Sequence, residues 1–208
     1  TQNGLQKQFD LLFGKALHFV LLLSLPLTAY FLLFAPEGIA FLSGPAYKNA
    51  VTPMRIIMPT LLLIGLTNLM GMQILVPTGR EKTVLYSVTA GALVNLFLNL
   101  LLIPRFSSTG AAIGTLSAET VVFLIQAGIL RKTISSLFQE FSLLPLLLGT
   151  LAGSLFCAPV KLLNLPAFFA LALAALVFFA AYLTVILILG DTLAWEIKKQ
   201  IIHGKNKD

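Results

Sequence analysis

Residues 73–119 read QILVPTGREKTVLYSVTAGALVNLFLNLLLIPRFSSTGAAIGTLSAE. They hold one complete apolar segment, the end of the segment before it and the start of the segment after it, with polar turns at 77–82 and 104–110. The hydrocarbon core of a bilayer is about 30 Å thick, and a helix needs about 20 apolar residues to cross it. The complete segment has this length, so the stretch predicts helices that cross a membrane one after another.

The composition of the whole chain also points to a membrane protein. Hydrophobic residues make up 58% of the 208 residues, and the mean hydropathy is +0.94. Only 11% of the residues are charged, whereas soluble domains carry about 25%. The formal net charge is +6, but the basic residues lie in short loops and near the chain ends rather than in a patch with aromatic side chains. This distribution predicts no nucleic-acid partner.

Six windows of the chain are long and apolar enough to span a membrane as helices. They show no alternation with a period of two, which excludes the strands of an outer-membrane barrel. We therefore predict an all-α, polytopic transmembrane helical bundle with six spans, at about 16–34, 56–76, 83–103, 110–130, 143–160 and 166–189. We further predict a lead-in at 1–15, a short helix on the membrane surface within 35–55, and an amphipathic basic tail at 191–208.

Charges in the loops predict how the six spans are oriented. Both chain ends and the turns at 77–82 and 131–142 fall on one side of the membrane, and short loops rich in Lys and Arg stay in the cytoplasm. That side carries ten of the fourteen basic residues: Lys7, Lys15, Arg80, Lys82, Arg131, Lys132, Lys198, Lys199, Lys205 and Lys207. The lead-in, the tail and both termini are therefore predicted to be cytoplasmic.

Polar side chains occur inside the predicted spans, where they are unfavourable. A carboxylate near the bilayer centre costs roughly 2.5–3.5 kcal/mol on insertion scales, and Glu119 lies about ten residues into its span. It either hydrogen-bonds to Asn95 or Asn99 on the adjacent span, or faces a cavity and changes protonation or binds a cation.

Amide side chains either hold helices together or line a path for a polar substrate, because each amide offers donors and an acceptor. Both interpretations stay open for Asn68, Gln73, Asn95 and Asn99.

The first span contains a proline near its middle. Pro26 has no N–H group, so it removes one backbone hydrogen bond and is expected to bend the helix. Ser24 and Thr28 flank it, and their hydroxyl groups can bond to backbone carbonyls one turn away. We expect these two hydroxyl groups to satisfy the carbonyls that the proline leaves without a donor.

The run GMQILVPTGREKTVLYSVTAGALVNLFLNLLLIPRFSSTGAAIGTLSAE, residues 71–119, resembles bacterial polysaccharide flippases. These are the O-antigen and capsule exporters of the multidrug/oligosaccharidyl-lipid/polysaccharide exporter superfamily. The resembling features are the QILVPTGREK turn after a span, the NLFLNLLLIPRF end of the next span, and GAAIGTLSAE at the start of the one after. The preceding FLSGPAYKNAVTPMRI also resembles a surface helix that enters a span, and the likeness is strongest from about 38 to 132.

The resemblance implies one lobe of a two-lobed, V-shaped exporter that works by alternating access. This chain resembles the C-terminal half, so the expected partners are the lipid bilayer, a lipid-linked oligosaccharide substrate and an N-terminal lobe of the same protein. The implied function is to flip undecaprenyl-diphosphate-linked oligosaccharide across the bacterial inner membrane. The alternatives are a multidrug/cation antiporter lobe, a non-transporting membrane scaffold and a membrane-embedded glycan enzyme.

The predicted substrate cavity comprises Arg55, Asn68, Gln73, Asn95, Asn99 and Glu119. The guanidinium of Arg55 matches phosphate geometry and could pair with the diphosphate, or the side chain could extend to the membrane surface. Glu119 is the candidate for ion coupling. No catalytic residue, metal site or cofactor is predicted, and the chain is not expected to be an enzyme, since it has no large external loop and no His/Asp/Arg cluster near the membrane face.

Overall fold

The computed structural model describes residues 2–131, 133–134, 142–191 and 193–195. Every regular element in these ranges is helical, which confirms the all-α prediction. The α-helices are α1 Gln2–Leu33, α2 Ala35–Leu42, α3 Val51–Ile57, α4 Thr60–Met70, α5 Glu81–Phe106, α6 Ser108–Ile129, α7 Leu144–Cys157 and α8 Ala167–Ile188. Two 3₁₀ segments, Pro45–Ala50 and Ala158–Leu163, and a π-helical segment, Gly71–Leu75, connect some of them.

Within the described residues, six helical stretches are long and apolar enough to cross a membrane, which confirms the predicted number of spans. They are Leu12–Leu33, Pro45–Leu75, Glu81–Phe106, Ser108–Ile129, Leu144–Leu163 and Ala167–Ile188. The first lies within α1, which starts at Gln2 and has no boundary at residue 15. Most of the predicted tail at 191–208 lies outside the described residues.

The helical stretch that holds the second span begins at Pro45, ahead of the predicted start of the span near residue 56. A short helix does form at Ala35–Leu42, as expected for the segment 35–55. However, Gly44 then reverses the chain with a φ of 87°, a conformation that glycine adopts without strain. Pro45 follows at the first position of the next helical segment, where its missing N–H is tolerated. The residues from Pro45 onward therefore belong to the helical stretch of the second span.

The chain divides into two compact units, one formed by residues 31–138 and the other by residues 1–30 with 139–208. The first unit is centred on the antiparallel pair α5 and α6. A β-carbon added at Gly110 would lie 2.5 Å from the carbonyl carbon of Leu102, and one added at Gly91 would lie 2.6 Å from Val122. The two helices thus approach as closely as small residues permit, which is typical of membrane helix pairs.

In the second unit, α7 packs on α8 through a similar pair of glycines. Gly149 faces Tyr182 and Ile186, and Gly153 faces Phe178, each closely enough that a β-carbon would approach these side chains to 3.2 Å or less. The residues of α8 that are buried recur at every fourth position: Ala170, Ala174, Phe178, Tyr182 and Ile186. A four-residue repeat follows one side of an α-helix, so α8 buries one face and leaves the other open.

The carbonyl that Pro26 leaves without a donor is satisfied by a side chain from α8. In a regular helix the N–H of residue 26 would donate to the carbonyl of Leu22, and proline has no N–H. Instead the Tyr182 hydroxyl donates to the Leu22 oxygen at 2.7 Å. The expected role of Ser24 and Thr28 is wrong, because among the described residues their buried hydroxyl groups have no hydrogen-bond partner. The Leu22 carbonyl accepts its hydrogen bond from Tyr182 rather than from either of these hydroxyl groups.

The segment after α8 is tied to the middle of α1 by a buried histidine–aspartate pair. Gly190, with a φ of 73°, ends α8, and the N–H groups of Gly190 and Asp191 donate to the carbonyls of Leu187 and Ile186, the pattern of a Schellman motif. Asp191 Oδ1 then accepts from the N–H of Ala194 at 2.9 Å, as an N-cap does. Its Oδ2 lies 2.8 Å from Nε2 of His18, and both side chains are almost fully buried.

Burial alone would raise the pKa of the Asp191 carboxyl group. Four effects oppose burial: the hydrogen bond from His18, the hydrogen bond from the N–H of Ala194, the electrostatic attraction of His18 and the hydrogen bond from the N–H of Leu193. Together they outweigh burial, so the pKa of the Asp191 carboxyl group lies below its usual value. A carboxylate with a lowered pKa is stabilised in its ionised form by its partners. The His18 ring and two backbone N–H groups therefore stabilise the buried Asp191 carboxylate.

Candidate functional site

A cavity of about 370 Å³ lies within the unit formed by residues 31–138. Ligand pockets in proteins span about 300–1,000 Å³, so this cavity suits a compact ligand or one part of a larger ligand. Its walls come from α4 with the start of the π-helical segment, from α5 and from α6. The lining residues are Ile64, Thr67, Asn68, Gly71, Met72, Val84, Val88, Gly91, Ala92, Asn95, Ala118, Glu119, Val122 and Gln126.

Helical spacing explains why these residues meet. Four lining residues of α5 are spaced at steps of four, three and four along the helix: Val84, Val88, Gly91 and Asn95. Such steps keep side chains on one face of a helix. The same rule brings residues 118, 122 and 126 of α6 to one face, with Glu119 beside it. Because no side chain projects from Gly91, α5 and α6 come close enough to form a continuous wall.

Three of the six predicted cavity residues line this cavity: Asn68, Asn95 and Glu119. A fourth, Asn99, lies one turn from Asn95 and donates from Nδ2 to the Asn95 Oδ1 at 3.0 Å. The four residues are thus grouped in one region, although they come from three different helices. What they bind stays a prediction.

The other two predicted residues lie away from the cavity wall. Arg55 is exposed on α3, thirteen residues before Asn68, which corresponds to roughly 20 Å along a helix at 1.5 Å per residue. Gln73 is exposed in the π-helical segment and is absent from the lining residues. A ligand that extends beyond the cavity along the second span could reach Arg55.

The side chain of Glu119 is half-buried at the cavity wall. The alternative that it holds the bundle together requires a hydrogen bond to Asn95 or Asn99. In the described part of the chain no such bond is formed, and the Asn99 amide donates to Asn95. The carboxyl group therefore remains available at the cavity.

Sequence reasoning missed two residues of this region, Gln126 and Ser87. Gln126 is 2% exposed and lines the cavity, and its Nε2 donates to Ser87 Oγ on α5 at 3.1 Å. The sequence feature that pointed to Gln126 is its position two turns after Glu119 on the same helix, which places the two side chains on one face. Ser87 gave no signal, because a single serine in an apolar span is common.

The described residues contain no group of three or more His, Cys, Asp or Glu side chains that could hold a metal ion. The polar side chains at the cavity are amides, one carboxyl group and the hydroxyl of Thr67, groups that can form hydrogen bonds. These groups lie on helices that are long and apolar enough to cross a membrane.

Comparisons with known proteins give one similarity. The chain is 37% identical over 79 residues to a protein named "Putative O-antigen transporter" from Escherichia coli (strain K12), and the match covers 38% of this chain and 19% of that protein. The chain thus matches much less than two thirds of the length of this relative. No protein-family model matches the chain, and no solved structure matches it. Over the matched part, the chain is similar to a protein named as an O-antigen transporter.

Proposed function

We propose that the chain is the C-terminal lobe of a transporter that flips undecaprenyl-diphosphate-linked oligosaccharide across the bacterial inner membrane by alternating access. The observation that carries the proposal is the cavity, where Asn68, Asn95 and Glu119 meet between helices apolar enough to cross a membrane. The similarity to the relative from Escherichia coli supports a polysaccharide as the cargo. An N-terminal lobe of the same protein would supply the facing wall in a V-shaped arrangement.

The physical requirement for such a transporter is a polar path through hydrocarbon. Sugar hydroxyl groups lose their hydrogen bonds to water when they enter the bilayer, which is unfavourable unless protein groups replace them. Asn68 and Asn95 offer both donors and acceptors for this purpose. In the proposal, the oligosaccharide passes these amides while the diphosphate pairs with Arg55 farther along the second span.

Glu119 is proposed to couple transport to a proton or a cation. An intramembrane carboxyl group that faces a cavity typically marks an ion or proton path, and Glu119 lies at the cavity wall. The same observation favours the second candidate, a multidrug/cation antiporter lobe. The two candidates differ in cargo, so the nature of the transported molecule separates them.

A deletion strain tests the proposal and its coupling residue together. Cells that lack the full-length protein are expected to accumulate lipid-linked oligosaccharide, and the unaltered gene should restore its export. Glu119→Gln keeps the shape of the side chain but cannot ionise, so export is expected to fall by more than about tenfold, equivalent to 1.4 kcal/mol on the barrier, at normal protein abundance. Export of surface glycan is measured at several values of pH.

Thr115→Val is the matched control, since Thr115 lies one turn before Glu119 on the same helix but is absent from the cavity wall; it should leave export unchanged. Full export by Glu119→Gln, with its pH dependence intact, would exclude the coupling role. A deletion strain that exports glycan normally but becomes drug-sensitive would support the antiporter instead.

The proposed orientation places both termini in the cytoplasm. Single cysteines introduced at Arg80 and at Ser108, in a full-length protein without other cysteines, are expected to react with a membrane-impermeant reagent from opposite sides. The reason is that α5, Glu81–Phe106, separates them and has the length of one span. The native Cys157 is buried and is replaced by alanine in this background. Labelling of both positions from the same side would contradict the six-span orientation.

A further inference from the structure

The orientation of the Gln126 side-chain amide is determined by its neighbour Ser87. The Ser87 hydroxyl donates its single proton to the carbonyl of Val84 at 2.9 Å. With that proton committed, Ser87 Oγ can only accept a hydrogen bond, so the group facing it must be the Gln126 Nε2 rather than the oxygen. The distance from Nε2 to Oγ is 3.1 Å. The carbonyl oxygen of the Gln126 side chain, Oε1, is consequently turned away from Ser87.

That oxygen is a buried acceptor without a donor. Within the described residues, Gln126 Oε1 is buried and accepts no hydrogen bond. Gln126 is one of the residues that line the cavity. The amide lies against Gly71, where a β-carbon would approach Nε2 and Oε1 to 3.6 and 3.7 Å. Gly71 is also where the π-helical segment starts, and such segments are frequent at functional sites.

A donor faces the same cavity from the opposite helix. Asn99 donates to Asn95 Oδ1, which determines the orientation of the Asn95 amide and leaves its Nδ2 group for another partner. Asn95 lines the cavity together with Gln126. Gln126 and Asn95 thus each bring to the cavity wall an amide with one group outside these hydrogen bonds, Oε1 of Gln126 and Nδ2 of Asn95. A hydroxyl group both donates and accepts hydrogen bonds, so a ligand with several hydroxyl groups can satisfy both ends.

We propose that Gln126, positioned by Ser87, is a specificity-determining residue that accepts a hydrogen bond from a sugar hydroxyl of the lipid-linked oligosaccharide. This inference rests on the proposed function and adds to it the group that distinguishes a sugar from an apolar ligand. An apolar ligand in the cavity would leave Oε1 buried and unpaired, which disfavours its binding. Ser87 is a positioning residue in this proposal, because it acts only through the Gln126 amide.

The test compares two lipids on the purified full-length protein in lipid nanodiscs. One is the lipid-linked oligosaccharide from the deletion strain, and the other is the same polyprenyl diphosphate without sugars. Gln126→Met keeps the length of the side chain but removes the acceptor, so we expect the dissociation constant of the glycosylated lipid to rise about tenfold, the effect of one buried hydrogen bond. The dissociation constant of the sugar-free lipid should stay unchanged.

Two further variants make the comparison specific. Ser87→Ala frees the amide to rotate without removing the acceptor, and is expected to weaken binding of the glycosylated lipid alone by roughly threefold. Leu124→Met is the matched control on the same helix, because Leu124 is 60% exposed and does not line the cavity; it should change neither constant. If Gln126→Met does not reach normal abundance, Ser87→Ala carries the test.

The outcomes separate this inference from the proposed function. Equal weakening of both lipids by Gln126→Met and by Ser87→Ala would assign the two residues a role in packing alone and overturn the inference. No weakening of either lipid would overturn it as well, and in both cases the proposed function would stand. If the unaltered protein bound neither lipid, the proposed function itself would be wrong and the inference with it.

Discussion

Replacing His18 by leucine is expected to lower the free energy of unfolding of the full-length protein by about 3–5 kcal/mol. His18 Nε2 lies 2.8 Å from Asp191 Oδ2, and both side chains are almost fully buried. Leucine fills a similar space but cannot pair with the carboxylate, so Asp191 would be left as an uncompensated buried charge. Unfolding in mixed micelles of a mild and a denaturing detergent measures the change.

A second substitution tests whether the charge is the cause. Asp191→Asn keeps a side-chain oxygen that can accept from the Ala194 N–H, as Asp191 does now, but removes the charge. We therefore expect the double variant His18→Leu/Asp191→Asn to regain most of the lost stability. If the double variant is less stable than His18→Leu alone, the pair contributes through shape or hydrogen bonding rather than through charge compensation.

The lowered pKa of Asp191 also predicts how the pair responds to acid. The unfolded carboxyl group titrates near 3.9, and the folded one titrates below that value. A group whose pKa is lower in the folded state stabilises the protein above the unfolded pKa, and this contribution is lost as the pH falls through the folded pKa. The unaltered protein should therefore keep this contribution at neutral pH and lose it only below about pH 4.

Replacing Tyr182 by phenylalanine is expected to cost about 1–3 kcal/mol of stability, the penalty for a buried acceptor without a donor. The hydroxyl of Tyr182 donates at 2.7 Å to the Leu22 carbonyl, which Pro26 deprives of its helical donor. Tyr30→Phe is the matched control, because the Tyr30 hydroxyl also donates to a carbonyl, that of Leu171 at 2.8 Å. Leu171 lies inside α8, where the regular helical pattern supplies a backbone donor, so its loss should cost less.

A double-mutant cycle with Pro26→Ala identifies the proline as the origin of the effect. Alanine restores an N–H group at position 26, and the Leu22 carbonyl can then accept from it as in a regular helix. In this background Tyr182→Phe is expected to cost less than about 0.5 kcal/mol, and the difference is the coupling between the two positions. An unchanged penalty in the Pro26→Ala background would show that Tyr182 acts through packing, for instance through its contacts with Gly149.

Local patterns were sufficient for the elements of the fold. Apolar runs of about twenty residues predicted six membrane-spanning helices, and the described part of the chain has six such stretches, because the length of a span depends only on the residues within it. The helical stretch of the second span begins at Pro45, ahead of the predicted start of the span near residue 56. Pro and Gly in 35–55 were read as breaks in the helix, but Pro45 occupies the first position of a helical segment, where proline is accommodated.

The candidate site was predictable only in part. Asn68, Asn95 and Glu119 stand out in the sequence because polar groups inside apolar spans are costly, and the cavity brings these three together. Gln73 and Arg55 are equally conspicuous, yet they are exposed away from the cavity. Polarity identifies which residues need a partner or water, but it does not indicate which side of the helix meets a neighbour.

The sequence by itself therefore determined the helical class, the number of spans and the polar residues that a bilayer would penalise. Only the tertiary structure decided which polar groups meet. Gln126 bonds to Ser87 across 39 residues, and Tyr182 bonds to Leu22 across 160 residues. The physical reason is that helical periodicity is a local property, whereas these contacts depend on how whole helices are rotated and spaced against one another, and that is settled by close packing at residues such as Gly91 and Gly149.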